Sequence, residues 1–213
     1  MHKRRYYYPM GKESHKSVSR AEGIFRKHGG ILRTADAIRF GIHPRQLYAM
    51  RESGVIEPLT RGLFRLQKLP PLEHPDLVTV AFRIPQGVIC LISALAFHDL
   101  TTQIPRTVDV AIKRGSEKSR CEYPPVHCYW FSGAAFTEGI SVHKISNVSI
   151  KIYTPEKTIA DCFKYRNKIG LDTAVEALKK WTTHKGFSVD KLTKYARICE
   201  VEKVMRPYLE TLL

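Results

Sequence analysis

Residues Ile31 to Leu66 read ILRTADAIRFGIHPRQLYAMRESGVIEPLTRGLFRL, and the punctuation of this stretch decides the fold of the first third of the chain. Thr34 is the expected N-cap of a short helix, with Asp36 in its first turn, where a helix dipole favours an acid. Ala35, Ile38 and Phe40 supply its apolar face, and Gly41 breaks it. His43-Pro44 then opens a second helix, because proline is tolerated at the first helical position. Leu47 and Met50 recur at a spacing of three, and Gly54 ends this helix. Two short helices around a glycine-bearing turn are the helix-turn-helix pattern. Val55–Leu59 and Leu63–Leu66 are apolar runs flanking Thr60-Arg61-Gly62, which reads as a hairpin, the wing of a winged helix. Upstream, Val18, Ala21, Ile24 and Phe25 recur at helical spacing and stop at Gly29-Gly30, a C-cap signal.

This arrangement assigns roles. With Leu47 and Met50 packed inward, Arg45, Gln46 and Ala49 project from the other face of the second helix, near the end that usually meets base edges. Arginine suits guanine, glutamine suits adenine, and a small alanine permits contact with a thymine methyl. Tyr48 and Arg51 lie on the flanks, where phosphate contacts are expected, and Arg61 at the wing tip would reach backbone or minor groove. Arg33, Thr34 and Arg65 complete the expected DNA-binding set. The competing reading is a solvated surface on a small module that binds no DNA.

Charge favours the first reading. The 213-residue chain carries 35 Lys and Arg against 20 Asp and Glu, a net charge of +15 that points to nucleic acid or an acidic membrane surface. Residues 1–66 hold 14 of those bases and five of the acids, a surplus of +9 in less than a third of the chain. Hydrophobic residues at 43% are enough for a core and exclude disorder throughout. No apolar run approaches the roughly 20 residues that span a bilayer, and the basic N-terminus lacks the apolar segment of a secretory signal. Five scattered cysteines fit reduced thiols better than a disulfide framework, so a cytoplasmic protein is expected. Lys3–Tyr8 (KRRYYY) reads either as a basic arm along phosphates or as a solubilising tail.

Pro70, Pro71 and Pro75 mark a linker, with a DNA-binding domain expected over 1–69 and a second domain over 70–213. In the latter, Val88–Ile92, Val108–Lys113, His127–Phe131, Val142–Ile145 and Val148–Tyr153 read as strands, the last two joined through Ser146-Asn147. The Val108–Lys113 alternation predicts a half-buried strand, and Ser93 is the expected N-cap of a helix through His98. Thr154-Pro155 starts a helix through Phe163, followed by helices over Leu171–Thr183, Ser188–Cys199 and Val201–Leu213. The fold class is therefore α+β, a winged helix-turn-helix followed by a mixed domain ending in helices.

No catalytic constellation assembles from the sequence of this second part. Cys121, His127 and Cys128 lack a fourth zinc ligand at suitable spacing, and no Asp-x-Lys or Glu-x-Lys pair of a metal-dependent nuclease occurs. Asp109 has no second acid two positions on, and Ser93 with His98 lacks an orienting acid. Lys157 and Asp161 look like a helix-surface pair. Lys164, Arg166, Lys168, Lys179 and Lys180 offer a modest cationic surface, for which a solvated helix face is the alternative.

These segments together resemble the AbiEi family of antitoxins and transcriptional repressors from bacterial phage-defence toxin–antitoxin pairs. The residues carrying the resemblance are Gly30–Asp36, Gly41-Ile42, Leu47-Tyr48, Gly54–Glu57 and Arg61–Arg65. Further on they are Ser93–Ala96, Ile104-Pro105, Gly139-Ile140, Tyr153–Thr158, Ala160–Phe163 and Lys168–Asp172. The resemblance implies a winged helix that binds inverted repeats in its own operon's promoter, and a C-terminal antitoxin domain. It further implies a functional partner of the nucleotidyltransferase toxin type, countered without a stable complex, with no enzyme activity and no cofactor. Two other classes remain open: a nucleic-acid-modifying enzyme targeted by its winged helix, and a stand-alone ligand-responsive regulator.

Overall fold

The computed structural model describes residues 12–118, 121–145, 148–183 and 186–212, with side chains from Val18 onward, and divides the chain into two compact units that meet between Leu72 and Glu73. The basic arm Lys3–Tyr8 and the Ser146-Asn147 connection lie outside the described residues.

In the first unit, helix α1 (Lys12–Lys27) leads through Gly29 and Gly30, both at positive φ, into strand β1 (Ile31–Arg33). Helices α2 (Thr34–Arg39) and α3 (Pro44–Glu52) follow, then strands β2 (Ile56–Thr60) and β3 (Leu63–Leu66). The strands form an antiparallel sheet in the order β1-β3-β2, with Leu32 opposite Phe64 and Glu57 opposite Arg65. The core is Phe25, Ala37, Ile42, Leu47, Met50 and Ile56, each essentially excluded from solvent. The apolar phase of α2 differs from expectation. Ala37 is the buried residue, while Ala35 is exposed and Ile38 is 43% exposed. Ala37 alone faces the core, and Phe40 instead stacks on His28 with centroids 3.9 Å apart. Thr34 is not a cap either: α2 begins at Thr34 itself, after an Arg33 that makes no side-chain cap bond.

The second unit opens with helix α4 (Pro75–Arg83), so Pro75 is a helix N-terminus rather than linker. Strand β4 (Val88–Ile89) is shorter than expected because helix α5 (Leu91–Phe97) starts two residues later. Strands β5 (Val108–Lys113) and β6 (Val126–Phe131), helix α6 (Ala134–Thr137) and the antiparallel pair β7 (Ile140–Ile145) and β8 (Val148–Tyr153) come next. They build a mixed sheet of order β6-β5-β4-β8-β7, parallel at β5–β6 and β4–β8. Helices α7 (Pro155–Lys164), α8 (Arg166–Ile169), α9 (Leu171–Thr183), α10 (Val189–Ile198) and α11 (Glu202–Glu210) complete the unit. Val108 to Ile112 are all buried, because β5 is an interior strand packed by α4 and α5. The alternation in its sequence therefore does not mark a wet face.

Helix α7 is the centre of this unit, packed by α5, α9, α10 and α11, and every residue from Glu156 to Phe163 is buried. This overturns the surface reading of Lys157 and Asp161. Lys157 is 0% and Asp161 2% exposed, and Lys157 Nζ donates to both carboxylate oxygens at 2.6 Å. The ammonium also lies 4.2 Å from the Tyr153 ring centroid and 5.0 Å from that of Phe131, and the Cys199 thiol donates to Asp161 Oδ1 at 3.2 Å. Burial raises the Asp161 carboxyl to about 6 even though the Lys157 ammonium pulls it down, and burial beside Asp161 pushes the Cys199 thiol up to about 12.

Ser93 does not cap α5, whose N-cap is Cys90. It sits inside the helix, where its hydroxyl accepts the Asp109 N–H at 2.9 Å and donates to Thr107 O at 3.3 Å. The Asp109 carboxylate in turn accepts from the Ile92 and Ser93 amides, so an acid from the neighbouring strand does the work of the missing cap. Thr154 occupies the N-cap of α7 without a side-chain bond, whereas Ser188 does cap α10, accepting the Lys191 N–H at 3.4 Å.

Candidate nucleic-acid interface

Pro44 presets the first turn of α3, and the His43 ring caps it, Nδ1 accepting the Arg45 amide at 3.2 Å. Leu47 and Met50 are fully buried and fix the roll of the helix. Arg45, Tyr48, Ala49 and Arg51 consequently stand on the exposed side, with Tyr48 50% exposed, while Gln46 is half-buried. Helical periodicity puts Arg45, Tyr48 and Ala49 on one face, a cation, a flat polar-tipped ring and a gap between them.

The wing is fastened to the start of α2. The Thr34 amide donates to Gly62 O at 2.9 Å and its hydroxyl to the same oxygen at 3.4 Å. Gly62 is at φ +75°, which lets the chain reverse between Thr60 and Leu63. Arg33, Thr34 and the exposed Arg61 are thereby gathered at one end of the unit, a proximity their separation in sequence does not reveal.

Arg65 does not join them. It is 6% exposed in the central strand, paired with Glu57 at 2.7 Å, and donates to Leu69 O at 3.0 Å and to Pro70 O. Its five donors are turned into the protein, so it anchors the wing and the departing chain rather than facing phosphate. The sequence reading overlooked Arg39. Its side chain is 70% exposed in the last turn of α2, bonded to Asp36 at 2.8 Å and lying 5.1 Å from the Phe40 centroid. The i,i+3 spacing of Asp36 and Arg39 was the available signal.

In the second unit the candidate catalytic side chains are held by structural partners. Ser93 is committed to its bonds with β5, and His98 Nε2 to Tyr153 O at 2.8 Å, with burial lowering the His98 pKa. His127 Nδ1 lies 3.9 Å from Asp109 Oδ1, and burial raises that carboxyl to about 6. Among the described residues no group of three His, Cys, Asp or Glu side chains is arranged to hold a metal ion. Of the expected cationic positions, Lys164 pairs with Glu200 at 2.9 Å, Lys180 lies 3.9 Å from Glu176, and Arg166 donates to Phe163 O, while Lys168 and Lys179 are exposed. No helix among the described residues is long and apolar enough to cross a membrane.

Three helices, a three-stranded sheet and a basic exposed helix α3 define the first unit as a winged helix of the kind transcriptional regulators carry. Residues 20–67, within the first unit, match the family described as "Transcriptional regulator, AbiEi antitoxin", the family that the sequence resembles. No curated protein matches the sequence. Among solved structures, the crystal structure of the RV2827C protein from Mycobacterium tuberculosis is similar, with a TM-score of 0.57 at 13% identity, covering 92% of this chain and 81% of that one. At that identity the likeness is one of fold.

Proposed function

We propose that this chain is a cytoplasmic DNA-binding antitoxin that represses its own toxin–antitoxin operon by binding inverted repeats. In this reading it also counteracts a nucleotidyltransferase-type toxin without forming a stable complex. A single observation carries the DNA half: an exposed, polar-faced α3 on a winged helix whose first 66 residues hold a +9 surplus. Arg45, Gln46 and Ala49 read bases, Tyr48, Arg51, Arg33 and Thr34 hold phosphate, and Arg61 with the wing reaches the neighbouring backbone. Arg39 joins the phosphate contacts, and Arg65 supports the wing from inside. The antitoxin half rests on the family and on a second unit with its own core. The functional boundary falls in the Pro-rich stretch, between a DNA-binding domain over 1–69 and an antitoxin domain over 70–213.

The test is a binding titration of the full chain on duplex from its own promoter and on scrambled duplex of equal length, repeated across salt. Binding should favour the promoter, and log K should fall with log salt by about 0.9 for each phosphate neutralised. Equal affinity for both duplexes would overturn specific repression. Growth rescue in cells expressing the neighbouring toxin gene tests the second half, and a folded chain that gives no rescue would overturn it.

A further inference from the structure

We propose that the second unit carries a binding groove for single-stranded nucleic acid across the edge of β6, separate in residues and in ligand from the winged helix. Strand β6 ends the sheet, so one row of its amide groups has no partner strand among the described residues. Two hollows of about 400 Å³ each adjoin it, and both are lined by Arg114, Trp130 and Tyr165. Each volume falls within the range of built ligand sites, and the two adjoin at the residues they share, which we take as one groove.

Cations and aromatic rings share its lining. Trp130 is 40% exposed, and its indole N–H donates to Ser116 O at 3.1 Å, which pins the ring where it lines both hollows. Tyr129 and Tyr165 meet edge to face at 5.2 Å. The Lys168 ammonium lies 6.0 Å from the Tyr129 centroid and 5.6 Å from that of Tyr165. The hollow containing Lys168 is lined by Arg114 and Lys168 and by no carboxylate. In the other, both acids are already neutralised, Asp161 by Lys157 and Glu200 by Lys164. The lining is therefore net cationic, with the exposed Trp130 indole among the charges and Tyr165 held in place by its stack on Phe131.

That chemistry selects the ligand. Phosphates suit Arg114 and Lys168, and a base stacks on an exposed tryptophan irrespective of sequence. A duplex would hide its bases from such rings. An acidic peptide would satisfy the cations and leave the rings without a partner. The groove is longer than one hollow, which suits a strand of a few nucleotides.

The experiment titrates the full chain with a fluorescent eight-nucleotide oligouridylate and with oligodeoxyuridylate of the same length, in parallel with promoter duplex. Both single strands should bind and quench tryptophan emission, and the tighter of the two identifies the preferred sugar. Trp130→Ala should weaken single-strand binding about tenfold, and Trp130→Phe should retain most of it. Lys168→Glu and Arg114→Glu, both on exposed residues, should each weaken it and flatten the salt slope by about 0.7 or more. Promoter binding should be unchanged in all four, while Arg45→Ala/Gln46→Ala should lose promoter binding and keep the single strand. If the Arg45/Gln46 variant loses the oligonucleotide instead, or the folded groove variants lose nothing, the proposal is overturned. Polyglutamate competing as well as unlabelled oligonucleotide would overturn it too.

Discussion

Replacing Lys157 by Met would test what holds the second unit together. The substitution keeps length and apolar stem but leaves Asp161, 2% exposed, without its ammonium. Breaking a buried pair by removing one partner costs about 3–5 kcal/mol, because the remaining charge has lost both water and partner. The structure favours the lower end, since the Cys199 thiol still donates to Asp161 and the carboxyl can take up a proton. Its pKa is already raised to about 6 by burial, and loss of the lysine raises it further. A carboxyl with a folded pKa above its unfolded value binds a proton on folding, so its contribution favours the folded state at low pH and is lost as pH rises. The deficit of Lys157→Met against wild type should therefore narrow, by about 1 kcal/mol, between pH 7 and pH 5. Lys157→Met/Asp161→Leu should return to within about 1 kcal/mol of wild type or exceed it. Urea unfolding followed by tryptophan emission measures this, because both tryptophans, Trp130 and Trp181, belong to the second unit. A single variant within 1 kcal/mol of wild type, with the double variant no better, would refute the reasoning.

Three further outcomes are expected. Arg45→Ala and Gln46→Ala should each cost about 1–3 kcal/mol on promoter duplex and little on random duplex, whereas Arg61→Ala should weaken both and reduce the salt slope by about one; equal losses from all three on both duplexes would mean that α3 is not the reading helix. Arg65→Met should lower the stability of the first unit by about 1–3 kcal/mol, since it orphans Glu57 and two carbonyls, and faster amide exchange in β2 and β3 is the readout that a simple phosphate contact would not produce. Asp109 sits buried with its pKa raised to about 6, so wild-type stability should fall as pH rises from about 4 to 6. Asp109→Asn should remove about half of that slope in pH-dependent urea melts and leave the share due to Asp161.

The winged helix was legible because its signals are local. Gly41, His43-Pro44, Gly54 and Gly62 each impose a backbone conformation that only a few neighbours can alter, and α3 and the wing fall where they put them. What escaped reading depends on distant partners. Strand β1 is three residues long and exists because Leu63–Arg65 pairs with it across the unit. Arg65 looks like any wing cation until Glu57 and the Leu69 carbonyl are folded around it. Lys157 and Asp161 have the spacing of a solvated pair, and only the four helices packed on α7 put them inside. Helix α4 was masked by the prolines before it, although Asp76 to Phe82 has an apolar face with Leu77, Val78 and Val80 buried. The β6 groove draws its rings and cations from β6, the loop after β5, helices α7 and α8 and the Tyr165 junction between them, a convergence that no single window of sequence contains.

The position of α7 has a consequence for how the protein comes into being on the ribosome. Its partners extend from α5 to α11, and Phe163 is not covered until Tyr208 arrives. The first unit closes its last contact at Leu69 and Pro70, so it can fold while the remainder is still being synthesised. About 140 residues separate that point from Leu209, which at about 5–20 residues per second is a lag of roughly 7–28 s. During that interval a nascent chain would display a finished winged helix, tethered to its own message, before the larger unit has a core. On the function proposed above, a newly made copy would thus be able to engage DNA before its second unit can do anything at all.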